Sequence, residues 1–552
     1  MHKLTLTFPS APSFTAWLAN RAVRLTILGL ISGLIGCSHL PPGASYPRDS
    51  SSALAEPLTT KLGRHVAELA QAHPGLSGFR IVPVGVDGFL IRAQIIDTAE
   101  KTLDLQYYIY RSDETGRLIS AALARAAARG VRVRLLLDDG DTKAGDERVM
   151  ELVGYPGIEV RIFNPFAYRG HWLALRAAEF LLDYQRLDHR MHNKLLVVDN
   201  VVAMVGGRNI GNQYFQMDPE AQFADDDVFA AGSIVRRLSA SFDEFWNHPL
   251  AIPAAALLSE RRAMAKVRGQ SGDLALQHPH ALGDLQTDGV DYGLALASGE
   301  PYAGMLSGRL PLEWAQAQVL SDSPSKRAVV SGSAAGRLLM PAVLDAARAA
   351  QSEILIVTPY FVPAEDELQM FTELRARQVR IRVLTNSMES SHALLPHSGY
   401  VPYRAALLAQ GVEIYEVRSL LSSTRGSGQT PHISAFGTYA LHAKLYVFDS
   451  RRLFIGSMNF DQRSRYLNTE VGLMIESPLL AQQTAERFAA MSQAQNSYVL
   501  ALRSRAAGSA PALVWQTREA GQMVDYWQEP ARHPWDRAVV RLLSWLPIAG
   551  EL

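Results

Sequence analysis

The sequence predicts an α/β chain made of two similar α/β/α domains. Three observations carry that expectation. Strand-like and helix-like stretches alternate, the alternation recurs at an offset of about 250 residues, and one short polar motif recurs in the same register. In the first half, Leu103–Tyr110 reads as a buried strand, Gly116–Arg129 as a helix, and Val131–Leu137 as a second strand ending at Asp138 and Asp139. In the second half, Ile354–Phe361, Glu367–Arg377 and Val379–Leu384 repeat that order and end at Thr385 and Asn386. Strands that alternate with helices argue for a largely parallel sheet in each domain.

A chain of 552 residues has room for several domains and a large core. Lys and Arg number 54 and so do Asp and Glu, so the net charge is zero. A general nucleic-acid binder needs a basic face to neutralise phosphates, so no nucleic-acid partner is expected. Cys37 is the single cysteine, which excludes an internal disulfide and a cysteine-based metal site. It closes a short apolar run, Leu25–Gly36, that follows Arg21 and Arg24. A basic flank, a short apolar stretch and small residues match an export signal, and the run is too short to span a bilayer. Its ending, Leu34-Ile35-Gly36-Cys37, resembles a bacterial lipobox. That resemblance implies removal of the leader, diacylation of Cys37, a catalytic unit facing the periplasm and, from Ser38, sorting to the outer membrane. The expected boundaries are a leader over 1–37, a flexible tether over 38–60, a first domain over 61–250, a connector over 251–325, a second domain over 326–510, and a C-terminal segment over 511–552.

The chemistry is carried by the repeated motif. His192, Lys194, Asp199, Gly206, Gly207 and Asn209 in the first half match His442, Lys444, Asp449, Gly456, Ser457 and Asn459 in the second, with identical spacing. His and Lys two apart on a strand share a face, which can hold a phosphodiester. Two such faces brought together place two imidazoles, two ammonium groups and two Asn side chains around one phosphorus. The lysines and asparagines would stabilise developing negative charge, so no metal or cofactor is called for. One imidazole can attack phosphorus, and the other can serve as acid and then base. The glycines let backbone approach the phosphate closely. Asp199 and Asp449 complete the motif and are grouped with the catalytic set. They lie seven residues past the His, where an ideal strand turns them to the opposite face, so a turn or salt-bridge role competes. Asp199 and Asn200 between two apolar runs read as a hairpin turn.

This pattern resembles the phospholipase D superfamily, over nearly everything from about residue 60 onward, and more finely the bacterial cardiolipin synthase C type. The phrases carrying the finer match are Leu103–Tyr110, Val131–Asp139, Arg161–Phe166, Arg190–Asn212, Leu384–Ser387 and Leu441–Glu476. The resemblance implies two domains side by side with pseudo-two-fold symmetry and an active site at their interface. It makes His192 the nucleophile and His442 the acid/base. Glu470 is similar to the family's acidic residue that orients a motif His, and Asp225 or Asp227 is its first-half counterpart. The function implied is a phosphatidyl transferase that makes cardiolipin from phosphatidylglycerol and a second phospholipid, either phosphatidylglycerol or phosphatidylethanolamine. A hydrolase releasing phosphatidic acid shares the same intermediate, and a nuclease of the same superfamily is the remote alternative. The partners implied are phospholipids and a membrane; an accessory protein is left open.

Two segments keep two readings each. Phe166–Phe180, with Tyr168, Arg169, His171 and Trp172, either lines an acyl-chain groove or covers the core. Trp535, Ala538, Val539, Leu542, Leu543 and Leu546 follow helical spacing, with Arg537 and Arg541 off the stripe. That helix either packs on the second domain or meets a membrane surface.

Overall fold

A computed structural model describes residues 41–140, 152–169, 172–218, 220–257, 286–287, 290–291, 301–419, 438–506 and 509–545. The leader, Cys37, His171, Leu546 and most of the expected connector lie outside the described residues. The unit Pro41–Leu552 contains both halves of the repeat.

The strands of the first half are β1 (Ser77–Val82), β2 (Thr102–Tyr107), β3 (Arg132–Asp138), β4 (Ile158–Phe163), β5 (Leu195–Val198), β6 (Val202–Gly206), β7 (Ala221–Ala224), β8 (Asp227–Ala231) and β9 (Ala251–Pro253). A short hairpin follows, β10 (Gln286–Thr287) with β11 (Val290–Asp291). The second half contributes β12 (Glu313–Ser321), β13 (Glu353–Val357), β14 (Arg380–Asn386), β15 (Glu413–Val417), β16 (Thr438–Leu441), β17 (Leu445–Phe448), β18 (Arg452–Gly456), β19 (Val471–Glu476), β20 (Ser497–Arg503), β21 (Ala512–Glu519) and β22 (Gln522–Tyr526).

The first half-sheet runs β9-β4-β3-β2-β5-β6-β8-β1. The second runs β19-β18-β17-β13-β14-β15-β20-β21-β22. Strand β12 joins them: its first residues pair with β1, and Gln316–Ser321 pair with β19, giving one 18-stranded sheet. The pairing corrects the expectation of largely parallel sheets. Within this sheet only β2-β3-β4 and β13-β14-β15 are parallel, each consecutive pair being separated by a crossover segment long enough to return the chain. Around the motifs, tight turns force antiparallel neighbours.

Those turns explain the motif aspartates. Asp199 and Asn200 have φ of 50° and 56°, and Asp449 and Ser450 have φ of 54° and 50°, the left-handed pair that a two-residue hairpin needs. The Asp199 carboxylate accepts from the backbone N–H groups of Glu100, Lys101 and Thr102, at 2.9, 2.8 and 2.7 Å. Asp449 does the same for Gln351, Ser352 and Glu353. Each pins the entry of the neighbouring central strand to the hairpin.

Helices Gly85–Thr98 and Glu114–Ala128 cover one face of the first half-sheet, and Leu339–Arg348 and Glu365–Ala376 cover the matching face of the second. Asp113 caps the second of these, accepting from Gly116 N–H. The remaining core lies between the halves. Val197 and Val205 of the first, Leu445 and Leu473 of the second, and helices Ile234–Trp246 and Pro478–Met491 share one apolar cluster. The halves are therefore joined by a core as dry as their own interiors.

Three expected boundaries move. The segment read as a flexible tether is docked from Arg48 onward: Arg161 and Arg134, both buried in the sheet, donate to the carbonyls of Asp49 and Ser51 at 2.7 and 2.9 Å. Ala53 N–H and Ser51 N–H donate to Asp243 and Asn247. Buried guanidinium groups carry more donors than their carboxylate partners fill, and the extended segment supplies the missing acceptors. The strand that fuses the sheets, β12, falls inside the expected connector, and β21 and β22 in the C-terminal segment extend the second sheet.

Candidate active site

The two motifs meet because each is threaded against the other half. His192 N–H donates to Thr469 C=O and Thr469 N–H to Arg190 C=O, both at 2.9 Å. Across the pseudo-dyad, β16 runs parallel to β7, and His442 N–H donates to Ala224 C=O at 2.7 Å. These pairings bring an acid of the opposite half beside each histidine. His192 Nδ1 lies 2.9 Å from Glu470 Oε2, and His442 Nδ1 lies 2.6 Å from Asp225 Oδ2. Both histidine side chains are almost fully buried, and both carboxylates fully.

Of the two first-half acids proposed from sequence, Asp225 meets a histidine and Asp227 does not. Asp227 Oδ2 is bound by Arg92 at 2.8 Å and Arg208 at 3.0 Å, which hold that carboxylate below its usual range despite its burial. Asp225 has Asp226 N–H at 2.8 Å and its histidine. Its approach depends on Gly207, where a Cβ would stand 2.0 Å from Asp225 Oδ1. At the matching position Ser457 donates its hydroxyl to Glu470 Oε2 at 2.5 Å, and Ser464 donates to Oε1 at 2.9 Å.

Lys194 Nζ donates to His192 C=O at 2.6 Å, and Lys444 Nζ sits 2.9 Å from His442 Nδ1. Packing these cations together out of water perturbs every group. Burial, reinforced by Lys194 and Lys444, pushes both imidazoles well below their ordinary range. Burial lowers Lys194 strongly and brings Lys444 down to about 8. It raises Glu470 and Asp225 to about 7 each, against the pull of Lys194 and Lys444 respectively. A phosphodiester between the ammonium groups would relieve their mutual repulsion.

The asparagines diverge. Asn209 accepts from Ile109 N–H at 3.1 Å and donates to the Tyr214 hydroxyl at 2.9 Å, so its amide holds a ring that packs edge-on against His442. Asn459 is buried on the site wall with its Oδ1 unpartnered. Asp199 and Asp449, grouped with the catalytic residues on the motif alone, are corrected by the structure. Seven extended residues put them roughly 20 Å from the histidines, and their oxygens are occupied by backbone amides.

Both histidines open onto one cavity of about 360 Å³. Its wall includes Tyr108, Phe223, His392, Leu395, Asp461 and Arg463, none of which the repeat could indicate. The first half has Gly211 and Gln213 where the second has Asp461 and Arg463, so these two residues lack the duplication that marked the motif. Arg463 is braced by the Asp188 carboxylate at 2.8 Å, and Asp461, which caps helix Gln462–Tyr466, is raised by burial to about 6.

Two carboxylate-oriented imidazoles that open onto one cavity, each with a motif lysine beside it, define a two-histidine site of the phospholipase D class. The family model described as cardiolipin synthase, phospholipase D-like domain, matches residues 93–246 and 343–492, and the chain belongs to that family. Cardiolipin synthase C of Escherichia coli is 38% identical over 88% of this chain and 99% of its own. An uncharacterized protein of Helicobacter pylori is 30% identical over 87% of this chain and 90% of its own. A crystal structure of phosphatidylserine synthase from Haemophilus influenzae aligns with 80% of this chain and 92% of its own, at a TM-score of 0.49 and 14% identity.

Proposed function

We propose that the protein is a phosphatidyl transferase that forms cardiolipin from phosphatidylglycerol and a second phospholipid. The observation that carries this is the pair of crosswise histidine–carboxylate contacts opening on one cavity, in a chain 38% identical to cardiolipin synthase C over most of its length. With Nδ1 of each ring committed to a carboxylate, Nε2 is the nitrogen left for chemistry. His192 Nε2 attacks the donor phosphorus, and the bond to the headgroup oxygen breaks as His442 gives that oxygen a proton. The leaving alcohol is glycerol or ethanolamine. His442 then takes the proton of a phosphatidylglycerol hydroxyl, whose oxygen attacks the phosphohistidine, forms cardiolipin and frees His192. Lys194, Lys444 and Asn459 face the charge that develops on the phosphoryl oxygens.

Part of the cavity wall is apolar, with Ile109, Phe223, Leu395, Pro396 and Leu441. Its volume suits a headgroup and phosphate but not the acyl chains, which stay outside. Cys37 is proposed as the acylation site that holds the protein at a membrane on the periplasmic side, with Ser38 favouring the outer one; the support is the sequence of the leader. No helix among the described residues is long and apolar enough to cross a membrane.

The test is incubation of the protein with phosphatidylglycerol, with and without phosphatidylethanolamine, and identification of products by mass spectrometry. Cardiolipin from the wild type and none from His192→Ala or His442→Ala supports the reading, and the ethanolamine arm names the donor. Phosphatidic acid as the sole product makes water the acceptor and overturns transfer. A phosphorylated His192 peptide, trapped in His442→Ala under alkaline quench, would identify the nucleophile.

A further inference from the structure

Helix Leu173–Leu182 is inside out. A surface helix normally turns its apolar stripe inward and its charges to water. Here the charged side chains face the protein: Glu179 accepts from the backbone N–H groups of Ala167 and Tyr168 at 2.5 and 2.8 Å. Arg176 donates to the Asp139 carbonyl and lies 4.2 Å from the centre of the Phe166 ring. The leucines point outward, with Leu173 82% and Leu182 81% exposed, Leu175 and Leu181 beside them, and Trp172 at the N-terminal end. None of the helix's residues is buried. Within the segment Phe166 is buried, whereas no residue of the helix is among those that line the cavity.

The second half presents a counterpart. Helix Asp536–Leu543 buries only Val540, while Trp535, Val539, Leu542 and Trp545 are exposed. The helix is docked through Val540 and through Arg537, which donates to the Glu529 carbonyl, and much of its apolar stripe is left outward. Each face is tied to a wall of the catalytic cavity. Arg169 and Arg176 anchor the first helix to Asp139. Next to Asp139 is Gly140, packed against the Tyr108 ring that meets His192 edge-on. The C-terminal helix packs on helix Leu394–Tyr400, whose exposed Leu395 is itself part of the cavity wall.

We propose that these two faces, one from each half, seat the cavity on an anionic phospholipid surface. This rests on the lipid-transfer reading, because a cavity that admits only the headgroup needs an apolar medium for the chains at its mouth. Leucines that point outward between inward charges have that medium as their complement, tryptophans at the ends of such helices suit the headgroup boundary, and Arg532 and Arg541 stay exposed to meet anionic headgroups.

The test uses the full chain with Cys37→Ser, so that one introduced cysteine carries an environment-sensitive fluorophore. The label goes at Leu181→Cys, with Asp345→Cys, on a charged surface, as control. With vesicles of phosphatidylglycerol and phosphatidylethanolamine, emission at 181 shifts to the blue and emission at 345 does not. No shift at 181, an equal shift at both, or a shift on raising protein concentration without lipid overturns the proposal, the last because the occupant is then a second copy. The quadruple variant Leu173→Gln, Leu175→Gln, Leu181→Gln, Leu182→Gln should lose about 10-fold or more of its transfer on vesicles, and no more than about 2-fold on monomeric short-chain phosphatidylglycerol. Equal loss on both substrates also overturns it. A wild type that transfers with neither substrate sinks the functional reading instead, while the fluorescence arm still reads the surface.

Discussion

The two halves of the site solve one problem by opposite means. Each must hold a buried carboxylate against a histidine of the other half. The second half uses Glu470, whose longer side chain is gripped by the hydroxyls of Ser457 and Ser464. The first half uses Asp225, which reaches its histidine through space that Gly207 leaves empty. One motif position therefore works by adding a donor in one copy and by removing a side chain in the other. The duplication preserved the backbone path and the imidazoles, while the means of seating the acids diverged.

The largest effects test whether the halves are equivalent. His192→Ala and His442→Ala should each reduce transfer by at least about 10³-fold, since one removes the nucleophile and the other the proton relay. Residual turnover in His442→Ala with a phosphate supplier whose leaving group needs no proton, and none in His192→Ala, would separate their roles.

Next comes the divergent position. Gly207→Ala should displace Asp225 and lower kcat by about 10²-fold, whereas Ser457→Ala removes only one of two hydroxyl donors and should cost about 10-fold. Equal losses in the two variants would mean that the halves do not seat their acids differently. Both comparisons need a melting curve, to show that the loss lies in the site.

The pH profile follows from the same burial. Asp225 and Glu470 are raised to about 7 and must be ionised to accept from Nδ1–H, so kcat/KM should rise as pH increases through about 7. Lys444 loses its charge above about 8, so activity should fall again there. Lys444→Arg keeps the charge and should carry the alkaline limb upward by at least about one pH unit. An unmoved limb would assign it to another group.

The smallest effects fall on the hairpins. Asp199→Asn disturbs a buried carboxylate that accepts three backbone amides and should lower stability by about 1–3 kcal/mol, with activity changed only a few-fold. Asp449→Asn, at a more exposed turn, should lower the melting temperature less. A large activity loss with an unchanged melting temperature would return the aspartates to the chemistry.

The site was most legible where the chain repeats itself. His192, Lys194, His442 and Lys444 were legible because two copies confirmed each other, and Glu470 because its surroundings resemble a known family. The crossing of the pairs was not legible, because strand exchange between β7 and β16 leaves no local pattern. Asp225 and Asp227 lie on one strand face, and only the positions of Arg92 and Arg208 tell them apart. Strand β12 was missed because its pattern is weak, its exposed and half-buried residues alternating without a clean apolar face. The segment from Arg48 to Ala53 read as flexible because its order comes from the buried arginines that use its carbonyls, not from its own side chains. The segment Phe166–Phe180 was read neither as a helix nor for the side that faces the protein, because its charged residues make contacts distant in sequence, to Asp139 and to the Ala167 and Tyr168 amides.

The crosswise pairing also bears on the chain before it is finished. His192 emerges in synthesis 278 residues ahead of Glu470, the carboxylate that orients it. His442, in turn, depends on an acid made 217 residues earlier, which waits without its partner. A truncated chain, or one whose halves have not yet docked, holds no complete histidine–acid pair. The catalytic pairs are therefore withheld until the segment that carries Glu470 has closed on the first half.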